Sequence, residues 1–233
     1  MKENKILDLD ATGHCIGYGP KNAKFNFFGL EEKNGKYSKN FKKRNDAYIN
    51  KFIEQGEKYY VLTNEEIYSV CPECKDEDRE SNASIYKTYK TIYEKLSEDQ
   101  ININEIGNAE KSILVGNIYP FAKAQTNEKY SKEEKEWINN YGDDRSEYII
   151  NFLVEKAQNN YVFCFGNLEQ YLMKFCQYGG ISFGKTQKFK EFAYKSNIYY
   201  KAPSLNLYLL RHPSRGWLSH NQLIELLAKI KSY

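Results

Sequence analysis

Four short apolar segments, each closing on a polar cluster, constrain this 233-residue chain more than any other feature. They read Phe25-Asn-Phe-Phe-Gly-Leu-Glu31, Ser112-Ile-Leu-Val-Gly-Asn-Ile-Tyr-Pro-Phe121, Tyr161-Val-Phe-Cys-Phe-Gly-Asn167 and Leu205-Asn-Leu-Tyr-Leu-Leu-Arg-His-Pro-Ser-Arg-Gly-Trp217. Apolar runs of this length bounded by turn signals read as buried strands. The intervening chain carries helical spacing, so strands alternate with helices. That alternation predicts an α/β fold: three layers, α/β/α, around a central, mainly parallel four-stranded sheet with right-handed crossovers. In open α/β sheets, ligands bind outside the carboxyl ends of the strands. Here that edge carries Glu31, Asn117, Asn167 and His212. A carboxylate, two amides and an imidazole suit a polar planar ring and chemistry beside it.

Helices are expected near 43–58, 63–69, 82–97, 131–139, 144–158 and 167–177, and Asn167 reads as the cap of the last of these. The Gly and Pro residues of Ile16-Gly-Tyr-Gly-Pro-Lys-Asn-Ala23 mark turns leading into the first strand. Residues about 32–110 are too many for a simple crossover and read as a helical insertion within one domain spanning 1–233. A Gly-Gly turn at 179–180 precedes a Lys-rich, aromatic stretch, 181–203, expected as a β-ribbon or an irregular loop. Ser219-His-Asn-Gln222 is a capping-box pattern opening a final helix.

Charge nearly cancels, with 34 Lys and Arg against 31 Asp and Glu, so net charge alone does not mark a nucleic-acid binder. Its distribution says more. Lys33, Lys36, Lys39, Lys42, Lys43 and Arg44 crowd after the first strand, and Lys185, Lys188, Lys190, Lys195 and Lys201 interleave with aromatic rings. Lysines neutralise phosphates while rings offer stacking surfaces. No apolar run approaches the roughly 20 residues that span a bilayer. The opening Met1-Lys-Glu-Asn-Lys-Ile-Leu-Asp8 lacks the apolar core of a signal peptide. The expectation is a cytoplasmic protein with no membrane partner, acting as a monomer. Five cysteines, an odd number, are expected as free thiols in a reducing compartment. A zinc site at Cys71-x-x-Cys74 would need further ligands such as His14 or Cys15, and no metal is expected.

The strand ends resemble the uracil-DNA glycosylase superfamily. Members carry a Gly-x-(Asn/Asp/Glu)-Pro-type motif after the first strand, an Asn after the second and His-Pro-Ser after the fourth. Phe28-Gly-Leu-Glu-Glu32, Asn117 and His212-Pro-Ser214 stand at those positions, in that order. Two departures fall inside the motifs: Glu32 or Lys33 replaces the proline after the catalytic position, and Arg215 stands where proline often follows His-Pro-Ser. The resemblance implies a monofunctional DNA glycosylase that needs no cofactor and partners DNA. Uracil is the family's default substrate, and some relatives remove hypermodified bases of viral DNA as a defence.

Such an enzyme flips its base into a snug pocket and breaks the N-glycosidic bond as positive charge grows on the sugar and negative charge on the base. Glu31 is the candidate for stabilising the sugar or aligning water, and His212 for donating to the departing base. Asn117 offers a donor and an acceptor to the base edge, and Tyr37, Phe41, Tyr119 and Phe121 are candidates to stack on it. Lys42, Lys43, Arg44, Lys185, Lys188, Ser214 and Arg215 are candidates for the DNA backbone. Trp217 lies where the family places a residue wedged into the duplex. Two other readings use the same pocket: a non-catalytic module binding a nucleobase, nucleotide or DNA, and a hydrolase of free nucleotides or nucleosides.

Overall fold

The structure, a computed structural model, describes residues 9–29, 41–55, 58–76, 83–121, 129–183, 200–202, 204–210 and 220–231. Seven strands occur among them: β1 (Cys15–Tyr18), β2 (Phe25–Gly29), β3 (Tyr60–Leu62), β4 (Ile113–Asn117), β5 (Tyr161–Phe165), β6 (Tyr200–Lys201) and β7 (Leu207–Leu210). The helices are α1 (9–14), α2 (Phe41–Gln55), α3 (Asn64–Val70), α4 (Ala83–Ser97), α5 (Lys132–Ala157), α6 (Leu168–Gly179) and α7 (His220–Lys231). No described helix is long and apolar enough to cross a membrane.

All seven strands join one mixed sheet in the order β3-β1-β4-β2-β5-β7-β6. Neighbours along β4, β2, β5 and β7 pair parallel, whereas β1 with β4 and β6 with β7 pair antiparallel. The α/β class holds, but the sheet is larger than the expected four strands and mixed in direction. One addition, β1, lies where glycines and a proline read as turns. Gly17 is inside this strand because its backbone runs close to β4: a Cβ there would come within 2.4 Å of the Val115 carbonyl oxygen. Another, β3, lies inside the stretch read as a helical insertion and extends the sheet beside β1, and the third, β6, lies within 181–203 and pairs with β7 at the other end.

Side chains alternate between two apolar layers. Phe25, Phe27, Ile113, Phe163, Phe165, Tyr208 and Leu210 pack with α4 and α7. Phe28, Leu114, Val162, Cys164, Leu207 and Leu209 pack with α5 and α6 on the opposite face. On the α4/α7 side, Phe27, Phe163 and Tyr208 are register partners on adjacent strands, with ring centroids 5.6 and 5.0 Å apart. Tyr89 of α4 stacks on Phe27 at 4.6 Å. Each cross-strand aromatic pair contributes roughly 0.2–1 kcal/mol relative to a pair of alanines. A slip of one residue would turn Phe27 to the other face, so the row also fixes register. At the amino end of β2, fully buried Asn26 donates from Nδ2 to the carbonyls of Ala23 (3.2 Å) and Tyr161 (3.3 Å), tying β2 to the start of β5.

Residues 131–158, expected as two helices, form one. Ser131 and Glu134 make a reciprocal capping box at its start. Gly142 lies within it, and a single glycine costs only about 1 kcal/mol against alanine. Buried Trp137, Arg145, Ile149, Ile150 and Leu153 outweigh that cost by packing along its length.

The cysteines also depart from expectation. Cys71 and Cys74, at the end of α3 and in the 3₁₀ turn that follows, are joined as a disulfide with Cα atoms 5.4 Å apart. Both are buried with Ala11, Tyr48, Tyr60, Leu62 and Ile67. The 3₁₀ turn brings residues three apart onto the same side, which draws the two sulfurs together. Cys15, Cys164 and Cys176 remain free.

Two measurements check this architecture. Phe163→Ala, at a fully buried position in the ring row, is expected to lower unfolding free energy by about 3–5 kcal/mol in urea titrations. Thiol titration of the unfolded protein should count three groups before reduction, matching Cys15, Cys164 and Cys176, and all five cysteines of the chain after it.

Candidate functional site

Register decides which residues meet at the carboxyl edge. Asn117 pairs with Gly29, Gly29 with Phe165, and Phe165 with Leu210, so one row crosses β4, β2, β5 and β7. Connections reverse direction around β2. The path from β2 to β4 includes α4 on one face, and the path from β4 to β5 runs through α5 on the other. The chain leaves β2 toward β4 but leaves β5 toward β7, and ligand crevices form where neighbouring strands diverge in this way, here at the ends of β2 and β5, with Asn117 one strand away on β4.

Glu31 follows Gly29 by two positions and His212 follows Leu210 by two. Both lie outside the described residues, as do Tyr37, Lys185, Lys188, Ser214, Arg215 and Trp217. Their described anchors, Gly29 and Leu210, sit on strands separated only by β5, which at the usual strand spacing is about 10 Å. Phe41, Lys42, Lys43 and Arg44 open α2, with side chains outside the described part.

Asn117 ends β4 and is half-buried. Gly116 before it is required by packing, since a Cβ there would meet the Ile16 carbonyl oxygen at 2.3 Å and the Phe28 ring at 2.5 Å. The Asn117 carbonyl accepts from Arg145 Nη2 at 3.0 Å, and the next carbonyl, Ile118, accepts from Arg145 Nε at 2.9 Å. Ile118 N–H donates to the Gly29 carbonyl at 3.0 Å, tying the turn to β2. The Asn117 carboxamide forms no hydrogen bond among the described residues. It therefore presents both a donor and an acceptor.

The two rings after Asn117 fare differently. Tyr119 is half-buried, with Lys174 Nζ 5.7 Å from its ring centroid. Phe121 is only 2 % exposed and lies edge-on to Trp137 at 5.4 Å, with Tyr130 at 6.5 Å. Its ring is thus packed against Trp137 among the described residues. Asn167 caps α6, its Oδ1 accepting from the backbone N–H groups of Glu169 and Gln170.

Several polar groups near this edge escaped sequence reasoning. Arg145 is 1 % exposed, and burial holds its guanidinium down to about 10 despite neighbouring Cys15, Tyr59 and Tyr60, which act the other way. Lys174 donates to Ser146 Oγ at 2.9 Å, and burial lowers its ammonium below the ordinary range while Asp143 raises it. His14 sits among Phe52, Tyr59 and Trp137, with Nδ1 2.8 Å from the Asp10 carbonyl, so that nitrogen carries the proton. Burial pushes its pKa below the ordinary 6.5, with Asp10 opposing and Arg145 and Lys58 reinforcing the shift. A usable signal existed for one of them. Trp137, Tyr141, Arg145, Ile149 and Leu153 recur every fourth residue, placing a cation on an otherwise apolar stripe. Reading 131–139 and 144–158 as separate helices hid that series.

Among the described residues, no group of three or more His, Cys, Asp or Glu is arranged to hold a metal. The described arrangement is a clamped turn carrying an open amide, suited to a planar ligand whose edge offers a complementary acceptor and donor. Comparison of the chain with protein-family models, with curated proteins and with solved structures gives no match.

His14 supplies a pH test. Its folded pKa is lowered, so the stability gained by keeping the ring neutral is present above about pH 6.5 and is lost as pH falls through the folded value. Unfolding free energy of the wild type should drop faster below pH 6.5 than that of His14→Gln, as measured by urea titration across pH 5–8.

Proposed function

We propose that this chain is a DNA glycosylase of uracil-DNA glycosylase-like architecture, which flips out and hydrolyses away a damaged or modified base. The observation that carries the reading is the shared edge of Gly29, Asn117 and Leu210. Three motif positions scattered over about 180 residues of sequence, Glu31, Asn117 and His212, each fall at or two residues beyond a member of that row. A nucleotide is small enough to be gripped between groups anchored about 10 Å apart on parallel strands.

In this mechanism the Asn117 carboxamide reads the base edge, and Tyr119 lies close enough along the chain to flank the base. Glu31 stabilises positive charge at the sugar or aligns the attacking water. His212 donates a hydrogen bond to the base oxygen as the glycosidic electron pair moves onto the ring. Water completes the hydrolysis, with no metal or organic cofactor. Lys42, Lys43, Arg44, Lys185, Lys188, Ser214 and Arg215 hold phosphates, and Trp217 fills the gap left by the flipped base. The substrate is uracil or a bulkier base such as the hypermodified cytosine of phage DNA, and the protein acts as a cytoplasmic monomer.

The test is a panel of oligonucleotides bearing uracil, hypoxanthine, alkylated bases or glycosylated cytosines, followed by alkaline cleavage of abasic sites. One member should yield strand breaks, and Glu31→Ala or His212→Ala should slow them by about 10²–10⁴-fold. Tight binding without breaks on every member would replace this proposal with a non-catalytic binding module.

A further inference from the structure

Arg145 is the largest fully buried side chain among the described residues, and its position in mid-helix is not explained by packing alone. Stripping water from a guanidinium is costly, and the usual compensation is a carboxylate. Its described hydrogen-bond partners are instead three carbonyls: Gly13 at 2.6 Å from Nη1, Asn117 at 3.0 Å from Nη2 and Ile118 at 2.9 Å from Nε. Gly13 lies in the last turn of α1, where helix carbonyls lack intrahelical donors and favour a cation.

The other two carbonyls are consecutive. In an extended strand, successive carbonyls point to opposite sides, so one planar side chain can take both only where the chain has turned. The fork of Arg145 therefore fixes the backbone on both sides of the peptide that carries the chain out of β4. From the other side, Gly29 holds the same turn through Ile118 N–H. Further along, Phe121 is anchored against Trp137. The Asn117 carboxamide stands on the backbone unit thus immobilised.

We propose that Arg145 is a positioning residue: by holding the carbonyls of Asn117 and Ile118 against α1, it sets the aim of the Asn117 carboxamide and so the ligand edge the site accepts. This rests on the reading of Asn117 as a ligand contact. Lysine keeps the charge but has one nitrogen in place of a planar fork, so it cannot reach the three carbonyls that Nε, Nη1 and Nη2 serve from separate positions. A displacement of about 1 Å in a recognition group is enough to cost about 100-fold in rate.

The experiment uses the full chain with Arg145→Lys and, as a second variant, Arg145→Gln, each alone and combined with Asn117→Ala. The first readout is kcat/KM on the best-processed oligonucleotide of the panel, alongside its ratio to the second-best base. Arg145→Lys is expected to lower kcat/KM by about 100-fold and compress that ratio in the native background, but to add no more than about 2-fold when Asn117 is already alanine. Undiminished effects in the Asn117→Ala background, or an unchanged base ratio, would overturn the proposal in favour of a purely structural arginine. The second readout needs no substrate: ¹⁵N relaxation of backbone amides 117–119 and of the Asn117 side-chain amide. Loosening confined to these groups, with β2 and β5 unchanged, supports the proposal, and unaltered order at Asn117 overturns it. If the wild type processes no oligonucleotide, the functional reading fails while relaxation still decides the role of Arg145.

Discussion

Phe27, Phe163 and Tyr208 stack side by side across β2, β5 and β7, and the candidate site depends on that row. Their rings hold three parallel strands in one register beneath α4 and α7. Because register is shared, Gly29, Phe165 and Leu210 finish level with one another, and Asn117 joins them through β4. Parallel pairs gain no help from tight hairpins, so side-chain packing must carry the alignment that turns supply in antiparallel sheets. Asn26 secures the amino ends of β2 and β5 with its two carbonyl contacts. The edge is therefore a product of core packing some distance below it.

How much of this was legible in the sequence varies with the kind of signal. The strands β2, β4, β5 and β7 announce themselves as apolar runs ending in polar clusters, and α4 and α6 by helical spacing. The short strands did not. Cys15–Tyr18 overlaps the Gly and Pro residues that read as turns, and the reason for Gly17 is a neighbouring backbone that no local pattern records. Tyr60–Leu62 is only three residues and pairs with β1 across more than forty positions of chain. The unbroken α5 was misread because the penalty for Gly142 is visible in sequence while the packing that outweighs it is not.

The candidate site divides along similar lines. Asn117 was legible from its place at a strand end, and Asn167 was legible as a helix cap. Phe121 looked as available as Tyr119, since exposure at adjacent aromatic positions is decided by tertiary partners, here Trp137. Arg145 and Lys174 were invisible for a different reason, and His14, named only as a possible ligand beside the cysteines, hid its burial for the same one. Charged side chains default to the surface in any sequence reading, yet these three are buried among rings, hydroxyls and carbonyls. The placement of Arg145 reflects the backbone carbonyls that collect where α1 and β4 both end.

Continuity of α5 has a mechanical consequence. Its 26 residues make a rod about 39 Å long, touching Gly13 of α1, the turn after β4 and Lys174 of α6, and feeding into β5. A stiff member braced at so many points transmits displacement instead of absorbing it. The same rod runs from the turn after Asn117 to the opposite rim of the sheet, where Asn206 N–H bonds the Ala157 carbonyl at 2.8 Å. One helix thus ties both rims of the sheet together.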